Sequence, residues 1–223
     1  MLFRSAEHYK VYLTGKGNFR DDVASILPYK GNRDDLHKPI HYDAIKQYLI
    51  DVWDAEVIEG MEADDAMAIA QSDALVWDFD ERADRFLPEE GSTVICTIDK
   101  DLRMVPGYHY NWNKDEHPVW VSEVEGIKWF YTQLLTGDMT DNIQGIPGVG
   151  PKKAEKILEG CETEEEMYDN VWNAYRDYLY PDGVKHPQLL EKVNDMVLEN
   201  AQLLFMVREL DDEGKPVMWS PPV

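Results

Sequence analysis

The sequence predicts an α/β fold: a sheet flanked by helices, followed by an all-helical C-terminal region. Three observations carry that prediction. Short strands alternate with amphipathic helices through residue 136, as in a sheet with helices on its faces. Thr93–Ile98 is β-branched and apolar throughout, as expected of a strand covered on both faces. From Gly145-Ile-Pro-Gly-Val-Gly150 onward a glycine-rich turn feeds helical patterns that continue almost to the end.

Taken in order, Val11–Thr14 reads as a short buried strand ended by Gly15-Lys-Gly17. Phe19–Leu27 reads as a helix. In Pro28-Tyr-Lys-Gly-Asn-Arg33, Lys30 and Arg33 stand three apart beside Tyr29, so on a helical turn both cations reach the same way. Two cations and an aromatic ring suit a phosphate with a stacked base; the plainer reading is solvated charge at a turn. Pro39 opens a helix with Ile45, Tyr48, Leu49 and Val52 at the helical period, and Glu56–Ile58 is a strand. Glu62-Ala-Asp-Asp65 then starts a small-residue helix with three acids in four positions. Acids at a helix start meet the macrodipole favourably, which explains one or two of them better than three. Glu62 and Asp65 share a face, and Asp64 joins them if the first turn is irregular.

Thr93–Ile98 runs into Asp99-Lys-Asp101, and the C-terminal ends of buried strands are where open α/β sheets place their sites. His109–Trp112 and Val119–Ser122 read as a hairpin, and Glu123–Thr136 as an amphipathic helix. Asp138 and Asp141 follow, three apart, a spacing that puts both on one face of a helical turn. Gly145, Gly148 and Gly150 permit positive φ and close backbone approach, and Pro151 suits the first position of the next helix. A glycine hairpin at a helix start, with Lys152, Lys153 and Lys156 beside it, offers N–H groups and positive charge to an anion. This is a phosphate-backbone clamp of the helix–hairpin–helix kind. Glu162–Tyr178 and Leu189–Leu210 read as supporting helices, with Val217–Trp219 as a strand or extended cap. No repeat, low-complexity linker or hard domain boundary interrupts the chain.

The 223 residues suffice for a full core. No apolar run approaches the roughly 20 residues of a membrane span, and no charged-then-apolar leader opens the sequence, so no membrane partner is expected. Cys96 and Cys161, the only cysteines, have no metal spacing, which points to a reducing, cytoplasmic setting. A net charge of −22 argues superficially against a nucleic-acid partner. Runs of acid, however, lie elsewhere, in Asp78–Asp84, Glu162–Glu166 and Asp211–Glu213. The cations gather at Lys30, Arg33 and Lys38 and at Lys152, Lys153 and Lys156, and such local patches bind phosphate in a salt-dependent way.

Seven carboxylates, Glu62, Asp64, Asp65, Asp99, Asp101, Asp138 and Asp141, converge in this reading. They cannot all stay ionised in a small volume without cations. Divalent metal resolves the conflict, and oxygen-only ligands point to magnesium or manganese. Metal beside a phosphate clamp implies phosphodiester hydrolysis by the two-metal route, with Lys30 and Arg33 on the scissile phosphate.

Glu62-Ala-Asp-Asp65, Thr97-Ile-Asp-Lys-Asp101, Gly137-Asp-Met-Thr-Asp-Asn142 with Gly145–Gly150, and Tyr29-Lys-Gly-Asn-Arg33 before Lys38-Pro39 resemble the 5′ nuclease (flap endonuclease) family. Asp99-Lys-Asp-Leu-Arg-Met-Val-Pro106 and the compact arch region look most like its phage 5′–3′ exonuclease branch, whose members would act in the host cytoplasm. The resemblance implies a PIN-like sheet over residues 1–136, with an arch segment near 25–45. Residues 137–223 then form a helix–three-turn–helix and supporting helices, a clamp that in the family often holds a monovalent cation such as K+. It implies cleavage of duplex or flapped DNA from a 5′ end, and of RNA in RNA–DNA hybrids in some members. It also implies two divalent ions on the seven carboxylates, Lys30 and Arg33 as catalytic cations, and Tyr29 as a base- or substrate-packing residue.

The sequence departs from that pattern at its start. The family's central first strand, with its metal-binding Asp, has no counterpart before Val11–Thr14, and the next strand ends in Thr14-Gly15 where the family has an Asp. The expectation is a member lacking about 60 residues, from the strand and helix involved. A misplaced start, a separate chain supplying the strand, and an inactive homologue all remain open. The rival reading is a DNA-binding homologue that grips through Gly145–Lys153 without cutting. A PIN-type ribonuclease is disfavoured by the clamp.

Overall fold

The computed structural model describes residues 8–33, 37–80 and 85–222. Residues 34–36 of the expected arch segment and 81–84 of the acidic run lie outside the described residues.

The α/β class is borne out. Strand β1 (Tyr12–Thr14) pairs in parallel with β2 (Glu56–Ile58), and helix α3 (Ala63–Ser72) packs on both. Strand β5 (Val94–Cys96) pairs in parallel with β6 (Gly107–Tyr110), which pairs antiparallel with β7 (Val119–Val121), the expected hairpin. An unexpected antiparallel hairpin joins β3 (Leu75–Asp80) to β4 (Arg85–Gly91). Trp77-Asp78-Phe79-Asp80 does alternate apolar and acidic residues, but β4 carries a proline and two adjacent acids, and the stretch reads first as an acidic run. Among the described residues the strands form four small sheets rather than one continuous sheet.

Two sequence expectations are corrected here, and a third is met with its apolar face left exposed. The stretch Thr93–Ile98 is strand only over β5, and it is not covered on both faces, because Val94 is 38% and Ile98 55% exposed. Helix α1 (Phe19–Val23) stops short of Leu27: Ala24 turns extended, and Glu199 accepts the N–H groups of Ser25 and Ile26. Helix α2 (Tyr42–Trp53) forms as its period predicts but buries no residue, leaving Ile45, Tyr48 and Val52 more than half exposed.

The core lies in the second half of the chain. Helix α4 (Glu123–Thr136) matches the expected span, opened by a Ser122–Glu125 capping box and ended at Gly137. It buries Ile127, Phe130, Tyr131, Leu134 and Leu135 against α6 (Glu164–Leu179) and α7 (Leu189–Leu204). Gly126 is required by that packing, since a Cβ there would lie 2.5 Å from the carbonyl oxygen of Met104. Phe130 makes edge contacts with Phe205 at 5.2 Å and Trp219 at 5.7 Å, so the extended tail closes one end of the core. Helix α7 ends at Leu204, short of the expected Leu210, because the chain turns extended at Phe205. The carbonyls of Leu203 and Phe205 then accept hydrogen bonds from Arg20. No helix among the described residues is long and apolar enough to cross a membrane.

Candidate active site

Four segments meet at one place: Tyr29–Arg33, the start of α3, the turn after β5, and the β8 (Gly137–Asp138) to β9 (Ile143–Gln144) hairpin. The hairpin corrects the expectation of a helical turn. Asp138 and Asp141 lie at the end of β8 and in the connecting turn, and their carboxylates bind different partners. The turn is stitched to residues 28–33. Lys30 N–H donates to the Asp141 carbonyl at 2.9 Å, Asn142 Nδ2 to Pro28 O at 2.8 Å, and Asn32 Nδ2 to Met139 O at 2.7 Å. Lys30 and Asn142 both take left-handed backbone, with φ of 52° and 62°, where these two stretches meet.

Lys30 and Arg33 do reach the same way. Arg33 Nη2 lies 2.6 Å from Asp141 Oδ1, and Lys30 Nζ pairs with Glu62 and stands 3.7 Å from Asp141 Oδ2. Tyr29, the expected base- or substrate-packing residue, is tied to the same acids. It is only 9% exposed, and its hydroxyl lies 2.8 Å from Glu62 Oε2 and 3.0 Å from Asp141 Oδ2. With one proton to donate, it bridges two acids and holds them together.

On the other side, Lys100 Nζ lies 2.9 Å from Asp138 Oδ2 and 3.1 Å from Asp101 Oδ1. Gln133 Nε2 donates to that same Asp101 oxygen at 2.5 Å, and Thr140 N–H donates to Asp138 Oδ1 at 2.7 Å. Asp99 accepts from the N–H of Asp101 at 2.9 Å, which fixes the turn after β5. Asp64 and Asp99 are electrostatically coupled and sit between the two cation-bridged pairs.

The ionisation of these acids reflects that arrangement. Burial, then the charges of Asp99, Glu62 and Asp65, pushes Asp64 up to about 7 against the opposing pull of Lys30. Burial likewise raises Asp101, helped by Asp99, and raises Asp141 despite Lys30, Tyr29 and Arg33. Asp138 goes the other way. Burial would raise it, but the hydrogen bonds from Lys100 and Thr140 hold it below the usual carboxylate range.

Six of the seven acids are thus linked, through shared cations and mutual charge interactions, into one acidic row; Asp65 is held apart from it by Arg20. Its carboxylate is fully buried and doubly bonded to Arg20, at 2.6 and 2.8 Å, and also accepts from the N–H of Val207. The expected shared face of Glu62 and Asp65 is replaced by this inward turn. No three His, Cys, Asp or Glu side chains among the described residues are grouped so that they could hold one metal ion. The donor chemistry nevertheless suits a hard divalent cation. The row is all oxygen, and Asp64 lies among like charges that raise its pKa. Glu62, Asp64, Asp99, Asp101, Asp138 and Asp141 are the side chains that would hold such ions. Three residues of consequence went unread in the sequence. Lys100 had a signal, a cation between two acids; Arg20 and Gln133 had none beyond ordinary helix composition.

In the clamp, Gly148 has φ of 77°. Gly145 packs so closely that a Cβ would lie 2.2 Å from the nitrogen of Gly137. Gly150 needs neither device, having extended backbone and open space around it. Pro151 opens α5 (Pro151–Ile157), on which Lys152, Lys153 and Lys156 are exposed. A cavity of about 450 Å³ lined by Ser72, Phe205, Arg208 and Trp219 shares no residue with the acidic row.

Beside these acids, cations and glycine hairpin stand the chain's likenesses to known proteins. Residues 124–216 match the family described as 5′–3′ exonuclease, C-terminal SAM fold. The chain is 25% identical over 194 residues to a 5′–3′ exonuclease of Halalkalibacterium halodurans, covering 82% of this chain and 59% of that one. It is 29% identical over 195 residues to DNA polymerase I of Caldicellulosiruptor bescii, covering 82% of this chain and 21% of that one. Against an exodeoxyribonuclease of Enterobacteria phage T3 the identity is 28% over 124 residues, covering 55% and 37%. Among solved structures, the T5 D15 protein co-crystallised with metal ions superposes with a TM-score of 0.49 at 19% identity, over 90% of this chain and 89% of that one. The resemblance to the 5′ nuclease family is borne out. The chain spans less than two thirds of the length of each of these curated relatives.

Proposed function

We propose that this chain is a metal-dependent 5′–3′ exonuclease or flap endonuclease that hydrolyses phosphodiester bonds of duplex or flapped DNA. The observation that carries the reading is the acidic row itself. Carboxylates at the start of α3, in the turn after β5 and in the β8–β9 hairpin are bridged by Lys30 and Arg33 on one side and by Lys100 on the other. In this reading residues 1–136 supply Glu62, Asp64, Asp99 and Asp101 to the cutting site, while residues 137–223 add Asp138 and Asp141 and grip the backbone through the clamp and its exposed lysines. Magnesium or manganese, two ions held by Glu62, Asp64, Asp99, Asp101, Asp138 and Asp141, would supply an activated water and charge stabilisation at the phosphorus. The chain's own residues do the rest. Tyr29 holds Glu62 and Asp141 in place, Gln133 orients Asp101, and Lys30 and Arg33 present positive charge to the scissile phosphate. The clamp is also where a K+ ion would sit, and RNA–DNA hybrid is a further substrate to test.

A second reading, a homologue that grips DNA without cutting it, is favoured by two observations. Lys30, Arg33 and Lys100 already neutralise acids in the row. Thr14, at the end of β1, is used structurally, its Oγ1 accepting from the N–H of Ala63 at 3.1 Å. Cleavage and binding of 5′-labelled flap and blunt duplex DNA by Asp99→Asn and Asp138→Asn separate the two. The nuclease reading expects each variant to lose about a hundredfold or more in rate, the scale of removing one electrostatic stabiliser, with binding kept. Unchanged turnover in both would overturn the metal assignment. Binding without cleavage by the unsubstituted chain in magnesium would leave the second reading.

A further inference from the structure

We infer that Lys100 is a built-in counter-cation, a positioning residue that holds Asp101 and Asp138 together without metal and competes with metal for them. The inference rests on the metal-dependent reading above. Asp138 is only 4% exposed, and its two oxygens are committed differently. Oδ1 accepts the N–H of Thr140 within its own turn, which leaves Oδ2 as the oxygen for a cation, and Lys100 Nζ lies 2.9 Å from it. The same ammonium reaches Asp101 Oδ1, an oxygen already held by Gln133. One ammonium therefore joins the turn after β5 to the β8–β9 hairpin. The Lys100 side chain as a whole is 56% exposed, so its flexible stem can carry the charge away without disturbing the fold. Lys30 bridges Glu62 and Asp141 in the same manner on the opposite side.

Each ammonium does part of what a divalent ion would do, neutralising two acids from different segments, but it must leave an oxygen before an ion can use it. Lys100 therefore stabilises the metal-free fold and weakens metal binding at once. A side chain that only supported the fold would favour both. The test is Mn2+ binding by calorimetry together with thermal melting in chelator, on the full chain and on Lys100→Met, Lys100→Gln and Lys100→Arg. Met and Gln are expected to bind Mn2+ about tenfold tighter, a difference of about 1.4 kcal/mol. They should melt lower in chelator and show a larger Mn2+-induced rise in Tm, while Arg stays near the parent. Gln keeps a donor for Asp138 if Met fails to fold. Unchanged or weaker Mn2+ binding in folded Met and Gln variants, with the parent still binding, would overturn the role of Lys100 and leave the metal reading standing. No Mn2+ binding by the parent or any variant would remove both.

Discussion

Asp64 and Asp65 are neighbours in the chain with opposite assignments, and substitution separates them. Asp65 and Arg20 form a fully buried pair whose bonds tie α1 and α3 to the chain leaving α7. Burial alone would lower the Arg20 pKa, but the hydrogen bonds and charge of Asp65 raise it above its ordinary value. Breaking a buried pair from one side costs about 3–5 kcal/mol, so Asp65→Asn should lose that much in urea denaturation. A loss below 1 kcal/mol would show the pair to be dispensable. Asp64 behaves in the reverse sense. Its folded pKa is raised from 3.8 to about 7, so between those values the folded state binds more protons than the unfolded one. The stabilising contribution is therefore present at low pH and is lost as pH rises through that window. In chelator, Asp64→Asn should melt above the parent at pH 8, with the advantage vanishing near pH 4. A difference that does not vary with pH would refute the buried-carboxyl assignment. Sequence spacing alone offers no way to tell the two apart. Spacing put Glu62 with Asp65, and only the position of Arg20, a contact 45 residues away, draws Asp65 inward.

Among the elements, the glycine hairpin was the most legible, because backbone geometry restricts which residues fit. Gly145 and Gly137 approach too closely for a Cβ, whereas Gly150 has room and ordinary φ. Gly145→Ala should cost about 3 kcal/mol by overpacking, and Gly150→Ala should stay within about 0.5 kcal/mol in thermal unfolding. Equal effects would mean the turn is not held by backbone contact. Helix α4 was equally legible, its capping box and periodic core face fixing both ends. The β3–β4 hairpin went unread because its acids and the proline of β4 masked the Trp77-Asp78-Phe79-Asp80 alternation of β3. The helical turn expected at Asp138 and Asp141 failed for a related reason. Spacing of three fits a tight hairpin turn as well as a helix, and pairing of Gly137 with Gln144 decides between them. Helix α2 shows a further limit, because its period predicted the helix correctly while its apolar stripe stayed exposed.

Over the whole molecule, the acidic row and the exposed lysines of α5 make one account of a chain with net charge −22. In the proposed reading, the acids stand where cations would gather, and the lysines that would attract DNA stand at the glycine hairpin. The sequence showed both groups, because each lies in one short stretch or at a strand end. It could not show that lysines already sit within the row, since the ion pairs of Lys30 and Lys100 join residues 32 and 38 positions apart. The measurement that tests the account most directly is cleavage of 5′-labelled flap DNA by this chain in magnesium and in chelator. Salt-dependent binding by Lys152→Ala with Lys153→Ala is followed in parallel. The account predicts cleavage only in magnesium, and a salt slope shallower by about two in the double variant. DNA held firmly in magnesium but never cut, or a salt slope that ignores both lysines, would contradict it.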